Sequence, residues 1–203
     1  MQCAARNPGT CLILFETERL ILHPPFSKSQ SRLTVKFNIA SIELNPMPTA
    51  MEPTGTAAER FGARMGFISN LIGGKQLGYN VTSIPKGKRA FPFHNHQVNE
   101  EMFFVLAGHG EIRIGDGAFP IKAGDIIACP AGGKETAHQI INTSEEELRF
   151  LSVSTKLSPE ITEYPDTNRF SVLPSLAPDE TGRPRTMMYV GTEGDSLYYW
   201  EGE

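Results

Sequence analysis

The sequence predicts an all-β protein, folded as a sandwich or a barrel. Three observations predict it: short segments that alternate apolar and polar residues, turn-forming residues that join these segments, and almost no helical periodicity. Only residues 57–65 could form a short helical turn. Strands this short, recurring this regularly, are typical of sandwiches and barrels.

The strand-rich region begins near residue 37. Residues 35–39 alternate weakly, and residues 77–84 alternate apolar with small or polar side chains, which is the period of a half-buried strand. Further strands are predicted in quick succession at 101–106, 111–114, 118–121, 126–129, 138–141 and 148–154. The joints between them have turn chemistry, at 108–110, 115–117, 123–125 and 142–144.

Three segments of the chain differ in composition. Residues 1–36 combine two cysteines, a Pro-Pro pair and a polar stretch, and we expect a poorly ordered or loosely packed arm there. Residues 37–157 carry the predicted barrel. Residues 158–203 are rich in proline, so we expect an irregular extension that packs on the barrel or at a dimer interface. Two strand-like pieces are predicted within it, at 187–190 and 197–200.

Composition excludes several classes of function. The 203 residues favour one domain with tails, and 39% of them are hydrophobic and 21% charged, as in ordinary soluble proteins. The net charge of −4 argues against binding to a nucleic-acid backbone. Three scattered cysteines do not make a disulfide framework, and no apolar run approaches the roughly 20 residues of a membrane span. We therefore expect a cytoplasmic protein with no nucleic-acid and no membrane partner.

Three of the five histidines and one glutamate have the pattern of metal ligands: His94, His96, Glu101 and His138. In an extended strand, side chains two residues apart point to the same face, so His94 and His96 would present two nitrogens to one point. Imidazole nitrogen and carboxylate oxygen suit divalent transition metals. The sequence therefore predicts one such ion, either Fe, Mn, Ni, Zn or Cu, with one or two coordination positions left open for a ligand.

The parity of the predicted strands also indicates which apolar side chains surround this site. Phe103 and Val105 share the inward parity of Glu101, and Ile140 shares that of His138. Tyr79 and Phe91 lie near the mouth in sequence. We expect these five residues to line a substrate pocket, with packing in the core as the alternative for each. No general base stands out, so the catalytic residues stay unassigned.

Residues 87–108 resemble the first conserved motif of the cupin superfamily. The chain reads Gly87, six residues, His94-Asn-His96, four residues, Glu101, six residues and Gly108. The order and spacing of these residues match the motif, in which a Gly, a His-x-His pair, a Glu and a second Gly follow one another.

The second cupin motif is matched by residues 124–142. Here the chain reads Gly124, five residues, Pro130-Ala-Gly132, five residues, His138, three residues and Asn142. The family pattern has two residues, not five, before the histidine, and a loop can lengthen at that point at little entropic cost. The resemblance covers residues 87–142 closely and about 70–155 in outline.

The resemblance implies a double-stranded β-helix, which is a jelly-roll barrel, with a metal in its mouth and a homodimer as the usual assembly. It does not imply one reaction, because one fold hosts many functions. We expect a small-molecule metalloenzyme, either dioxygenase-like or isomerase-like. The alternative is a non-catalytic cupin that binds or senses a sugar or an organic acid, and a third hypothesis is a storage or scaffold role.

Overall fold

The computed structural model describes the backbone of residues 11–14 and residues 36–49, 51–182, 185 and 187–202. The predicted arm over residues 1–36 therefore lies almost wholly outside the described residues. The strands in chain order are β1 (Cys11–Leu14), β2 (Asn45–Pro46), β3 (Arg64–Phe67), β4 (Leu77–Ile84), β5 (Asn95–His96), β6 (Glu101–Ala107), β7 (His109–Ile114), β8 (Gly117–Lys122), β9 (Ile126–Cys129), β10 (His138–Ile141), β11 (Leu148–Thr155), β12 (Glu160–Tyr164), β13 (Arg169–Leu173) and β14 (Met187–Gly191). Two short α-helices, α1 (Ala57–Arg60) and α2 (Ser69–Ile72), are present.

These strands form three antiparallel sheets. A six-stranded sheet has the order β2-β3-β4-β11-β6-β9, a five-stranded sheet the order β1-β14-β13-β12-β5, and a three-stranded sheet the order β10-β7-β8. The predicted all-β class is confirmed, and six of the predicted barrel strands reappear within a residue or two as β6 to β11.

The core lies between the sheets, and its most deeply buried side chains include inward-facing residues of three strands. Val105 of β6, Leu148 and Phe150 of β11 and Ile112 of β7 are each at most 2% exposed. Phe103 and Phe150 meet edge to face, with ring centroids 5.6 Å apart. Burying one such side chain stabilises a fold by about 1.5–3 kcal/mol, so this cluster holds the sheets together.

The turns follow the predicted chemistry at two positions that fix the barrel. Gly108, between β6 and β7, has φ +81°, and a Cβ there would lie 2.5 Å from the carbonyl oxygen of Glu147. Only glycine fits both the conformation and the space. The buried Asn142 side chain accepts from the backbone N–H of Ser144 and donates to the carbonyl oxygens of Ile84 and Glu146.

Three expectations about secondary structure are wrong. Of the weak strand at 35–39, the described part is irregular backbone followed by a 3-10 helix that begins at Ile39. The aromatic piece at 197–200 is no strand: Tyr198, Tyr199 and Trp200 are 73%, 84% and 62% exposed, so nothing within the described chain covers them. The proline-rich segment is more regular than expected, because β12 and β13 pair in it. The domain boundaries themselves stay predictions.

Candidate metal centre

The structure brings His94, His96, Glu101 and His138 together, with one potential ligand atom from each within 4.8 Å of every other. Their backbones are locked in place. His94 and His138 exchange two backbone hydrogen bonds, of 3.1 and 2.7 Å. Glu101 begins β6, where it is paired between Cys129 of β9 and Ser154 of β11. Strands β5, β6 and β10, each from a different sheet, and the loop that carries His94 thus converge on one point.

The imidazole nitrogens that face the cluster are the Nε2 atoms. Nε2 of His138 lies 3.1 Å from Oε2 of Glu101, and Nε2 of His96 lies 3.4 Å from the same oxygen. The ring centroid of His94 is 5.0 Å from that of His96 and 4.6 Å from that of His138. Three imidazoles and one carboxylate therefore surround a small common space.

Backbone carbonyls set the protonation of two of the rings. Nδ1 of His94 lies 2.8 Å from the carbonyl oxygen of Pro92, and Nδ1 of His138 lies 3.3 Å from that of Thr136. A carbonyl oxygen only accepts, so each Nδ1 carries a hydrogen, and in a neutral ring Nε2 is then the nitrogen with the lone pair. That tautomer is the one required for an Nε2 metal ligand.

The electrostatics of the cluster favour a neutral His94 and an ionised Glu101 but stabilise the charged form of His96. Burial, together with the nearby His138, lowers the pKa of His94 to about 3. Burial would raise the pKa of Glu101, but the hydrogen bond with His138 and the close approach of His96 outweigh it and hold that pKa below its usual range. Burial lowers the pKa of His96, yet the hydrogen bonding and charge of Glu101 prevail and raise it overall.

His96 supplies the test of whether these residues fit a metal. Both of its ring nitrogens are buried, and neither has a hydrogen-bond partner with good geometry among the described residues. An unpaired buried polar atom is costly, and a cation beside Nε2 would satisfy it. The four residues could therefore hold a metal ion. Three nitrogens and one oxygen do not select among Fe, Mn, Ni and Zn.

The longer loop of the second motif does not displace His138. Its five residues include a three-residue 3-10 helix, Lys134–Thr136. The last carbonyl of this helix is the one that Nδ1 of His138 contacts. The backbone N–H of Gly132 donates to the carbonyl oxygen of His96 over 2.9 Å, which ties this loop to β5. The extra residues thus help to orient the ligand.

A cavity of about 540 Å³ opens beside the cluster and is lined by His96 and Glu101 themselves. Its other polar lining comes from the loop before β6, the end of β11 and the segment after β11: Asn99, Ser154, Thr155, Lys156, Ser158 and Glu160. Its apolar lining is Leu157, Leu173, Pro174 and Met187. Lys156 is the one lysine or arginine among these lining residues.

The five residues expected to line a substrate pocket lie elsewhere. Phe103, Val105 and Ile140 belong to the buried core cluster, and Phe91 packs against it. Tyr79 lies half-buried on β4, where its backbone N–H donates to Ser69. None of the five is among the described residues that line the cavity beside His96. Their role in binding a substrate stays a prediction.

Sequence reasoning missed Glu160 and Lys156, which line the cavity. Both lie at the edge of the proline-rich segment that was expected to be irregular. The available signal was the alternation of Glu160, Thr162 and Tyr164, which predicts a strand with these residues on one face. The proximity of Glu160 to His96 depends on the pairing of β12 with β5, which the sequence does not reveal.

Comparison with known proteins agrees with this architecture. Residues 80–154 match the family model of the cupin domain, which confirms the predicted resemblance. A crystal structure described as a sugar phosphate isomerase from a cupin superfamily, from Silicibacter pomeroyi DSS-3, superimposes with a TM-score of 0.63 at 23% identity, covering 81% of this chain and 97% of that one. At this identity the likeness shows the fold alone, and it confirms the predicted jelly-roll.

Two curated relatives share part of the domain. An oxalate-binding protein from Thermotoga maritima is 35% identical over 60 residues, which is 30% of this chain and 47% of that protein. An uncharacterized protein from Methanocaldococcus jannaschii is 28% identical over 85 residues, 42% of this chain and 65% of that protein. The chain thus spans less than two thirds of either relative. Among the described residues, no helix is long and apolar enough to cross a bilayer.

Proposed function

We propose that the cupin domain over residues 80–154 forms, with the segment after it, a metal-dependent site for a small anionic, oxygen-rich molecule. The observation that carries this proposal is that the His94, His96, Glu101 and His138 cluster opens into a cavity that also presents Lys156. A bound divalent transition metal would supply Lewis-acid or redox chemistry at this point.

The chain's own residues have separable roles in this proposal. The three histidines and Glu101 would hold the metal. The ammonium of Lys156 would bind a carboxylate or phosphate group, since it has no ion-pair partner within 4 Å among the described residues. The apolar wall of Leu157, Leu173 and Met187 would exclude water and pack against the carbon skeleton.

The known relatives support an anionic ligand. The Thermotoga relative is described as binding oxalate, a dicarboxylate, and the Silicibacter structure as an isomerase of sugar phosphates. Both descriptions name molecules with charged oxygens. A cavity of about 540 Å³ is large enough for one molecule of either kind.

Proton transfer by side chains is restricted in this cavity. Glu101 belongs to the metal cluster, and the Glu160 carboxylate accepts hydrogen bonds from three backbone N–H groups and from the amide of Asn99. Neither is free to act as a general base of the kind an isomerase needs. We therefore favour a metal-centred reaction of the dioxygenase type over isomerisation as the activity of this site.

A second candidate is a protein that binds the same kind of ligand without turning it over. The description of the Thermotoga relative as an oxalate-binding protein favours it. Turnover separates the two candidates: oxygen consumption or product formation with small organic acids would support the enzyme. Saturable ligand binding with no turnover by the metal-loaded protein would support the binding protein.

The test of the common proposal is calorimetric titration of the metal-loaded protein with oxalate and with a sugar phosphate. Lys156→Met should weaken binding by roughly tenfold or more, because a hydrogen bond to a charged group contributes about 1.5–3 kcal/mol. Lys122→Met is the matched control, since Lys122 is an exposed lysine on β8 that does not line the cavity. Equal affinity for wild type and Lys156→Met, or no metal in the purified protein after loading, would contradict the proposal.

Assembly and location remain predictions. A homodimer is expected from the resemblance, and a mass measurement in solution tests it. A cytoplasmic location is expected from the few cysteines and is tested by fractionation of cells.

A further inference from the structure

His96 differs from the other two histidines in what faces its Nδ1. His94 and His138 each direct Nδ1 at a backbone carbonyl. Nδ1 of His96 has no hydrogen-bond partner among the described residues, and Oε2 of Glu160 lies 3.8 Å from it. A backbone carbonyl therefore lies beside Nδ1 of His94 and of His138, whereas a carboxylate lies beside Nδ1 of His96.

The Glu160 side chain is fixed with unusual firmness. It is 6% exposed at the start of β12. Oε1 accepts from the backbone N–H of Val98 and of Ile161, over 3.3 and 3.0 Å. Oε2 accepts from the backbone N–H of Asn99 over 2.9 Å and from the Asn99 side-chain amide. N–H donors on both oxygens are the pattern of a carboxylate anion that cannot turn away.

Asn99 connects this carboxylate to the domain itself. Its Oδ1 accepts from the hydroxyl of Thr155 and the backbone N–H of Leu157, over 2.8 and 2.7 Å. Its Nδ2 donates to the carbonyl oxygen of Leu157 over 3.0 Å. The charge of Glu160 is therefore held at a fixed place beside His96 by the end of β11 and by the loop before β6.

The contact acts through charge, because 3.8 Å is longer than a hydrogen bond. A fixed anion favours the imidazole tautomer whose N–H points toward it. In His96 that tautomer has its hydrogen on Nδ1. The Glu101 carboxylate, 3.4 Å from Nε2, opposes it in the metal-free protein, and a cation bound by Nε2 and Glu101 would remove that opposition. All three imidazoles would then present the same nitrogen to the centre of the cluster.

We propose that Glu160 is a positioning residue that sets the tautomer of His96 and so completes the donor set of the metal centre. The inference rests on the proposed function, because it assigns a role within the same site. It also assigns a role to the segment that follows the matched domain, because Glu160 lies in that segment whereas the four ligands lie within residues 80–154.

The first test measures the tautomer in the metal-free protein. Long-range nitrogen–proton NMR correlations distinguish the two neutral imidazole tautomers, at a pH where the rings are uncharged. Because Glu101 attracts the hydrogen to Nε2, we expect a mixture of the two His96 tautomers in the wild type, with the share of Nδ1–H falling in Glu160→Gln, which removes the charge and keeps the size. His94 is the internal control, because its Nδ1 contacts Pro92. An unchanged His96 tautomer in Glu160→Gln would overturn the proposal.

The second test measures zinc affinity by competition with a chelator. Partners outside the ligand shell are worth about 10–100-fold in metal affinity, and the length of this contact points to the lower end, roughly tenfold, for Glu160→Gln. Glu163→Gln is the matched control: it is the same change on the same strand, at a carboxylate that accepts from Asn95, the residue between His94 and His96.

The two variants separate positioning from a general loosening of the site. A loss in Glu160→Gln that exceeds the loss in Glu163→Gln supports positioning. Equal losses in both would mean that β5 has merely loosened, and would overturn the proposal. If the wild type binds no zinc, the proposed metal site fails, while the NMR measurement still decides the role of Glu160.

Discussion

The two ends of strands β6 and β10 differ in what their inward side chains do. At one end Glu101 and His138 belong to the metal cluster; further along the same faces, Val105 and Ile140 are 0% and 5% exposed and belong to the core. Phe103 joins the ends, with its ring 5.5 Å from that of His138 and 5.6 Å from that of Phe150. Strand alternation decides that a side chain faces inward, and its position along the strand decides whether it packs or binds.

The largest effect is expected at the core end. Phe150→Ala should lower the free energy of unfolding by about 3–5 kcal/mol, because it leaves a cavity between β11 and β6. Chemical denaturation measures it. Since Phe150→Ala can fail to fold, Ile112→Val serves as a milder core substitution, which should lower the free energy of unfolding by about 0.5–1.5 kcal/mol. A loss below about 0.5 kcal/mol for both would show that the apolar end does not hold the fold together.

Substitutions at the metal-binding end should lower the affinity for zinc instead of the free energy of unfolding. His138→Ala should weaken zinc binding by more than about 100-fold, since even partners outside the ligand shell are worth 10–100-fold. Chelator competition measures this, and circular dichroism checks the fold. If Ile112→Val, in the core, lowers zinc affinity as much as His138→Ala does, the division between a packing end and a metal-binding end is contradicted.

A pH effect of opposite sign is expected for two histidines of the metal end. With its pKa lowered to about 3, folded His94 resists a proton that the unfolded chain takes up, so this residue makes the metal-free fold less stable as pH falls from 6.5. His96 has a raised pKa, so its contribution is present below the ordinary value and is lost as pH rises through the folded pKa.

The measurement is the free energy of unfolding between about pH 5 and 8, where the stabilisation from the lowered pKa of Glu101 is complete. His94→Gln should flatten the rise of stability with pH below 6.5, and His96→Gln should remove a fall of stability above 6.5. Changes of the same sign in both variants would contradict the assigned environments.

The smallest effect is expected outside both ends. Arg64 on β3 forms a 2.9 Å ion pair with Glu147, and both side chains are substantially exposed, at 55% and 40%. Exposed pairs contribute about 0–1 kcal/mol, so Arg64→Ala should change the unfolding free energy by no more than that and leave zinc affinity unaltered. A larger loss would show that stability is not concentrated in the core.

Much of the candidate site could be predicted from the sequence, because its geometry is local. The His-x-His spacing and the parity of Glu101 with Val105 follow from the two-residue period of a strand. The same rule placed Ile140 inside, and it is buried. Parity placed Phe103 and Val105 inward, and both are buried, but parity does not tell the mouth of a barrel from its core, so their role in a substrate pocket stays a prediction.

The sequence by itself determined the all-β class and the four candidate ligands, since alternation and turn residues act over a few neighbours. Only the tertiary structure decided that β12 lies against β5, which brings Glu160 to His96 across 64 residues of chain. It also decided which face of the domain opens into the cavity beside Lys156. Such pairings depend on the summed packing of whole sheets, and no local pattern records them.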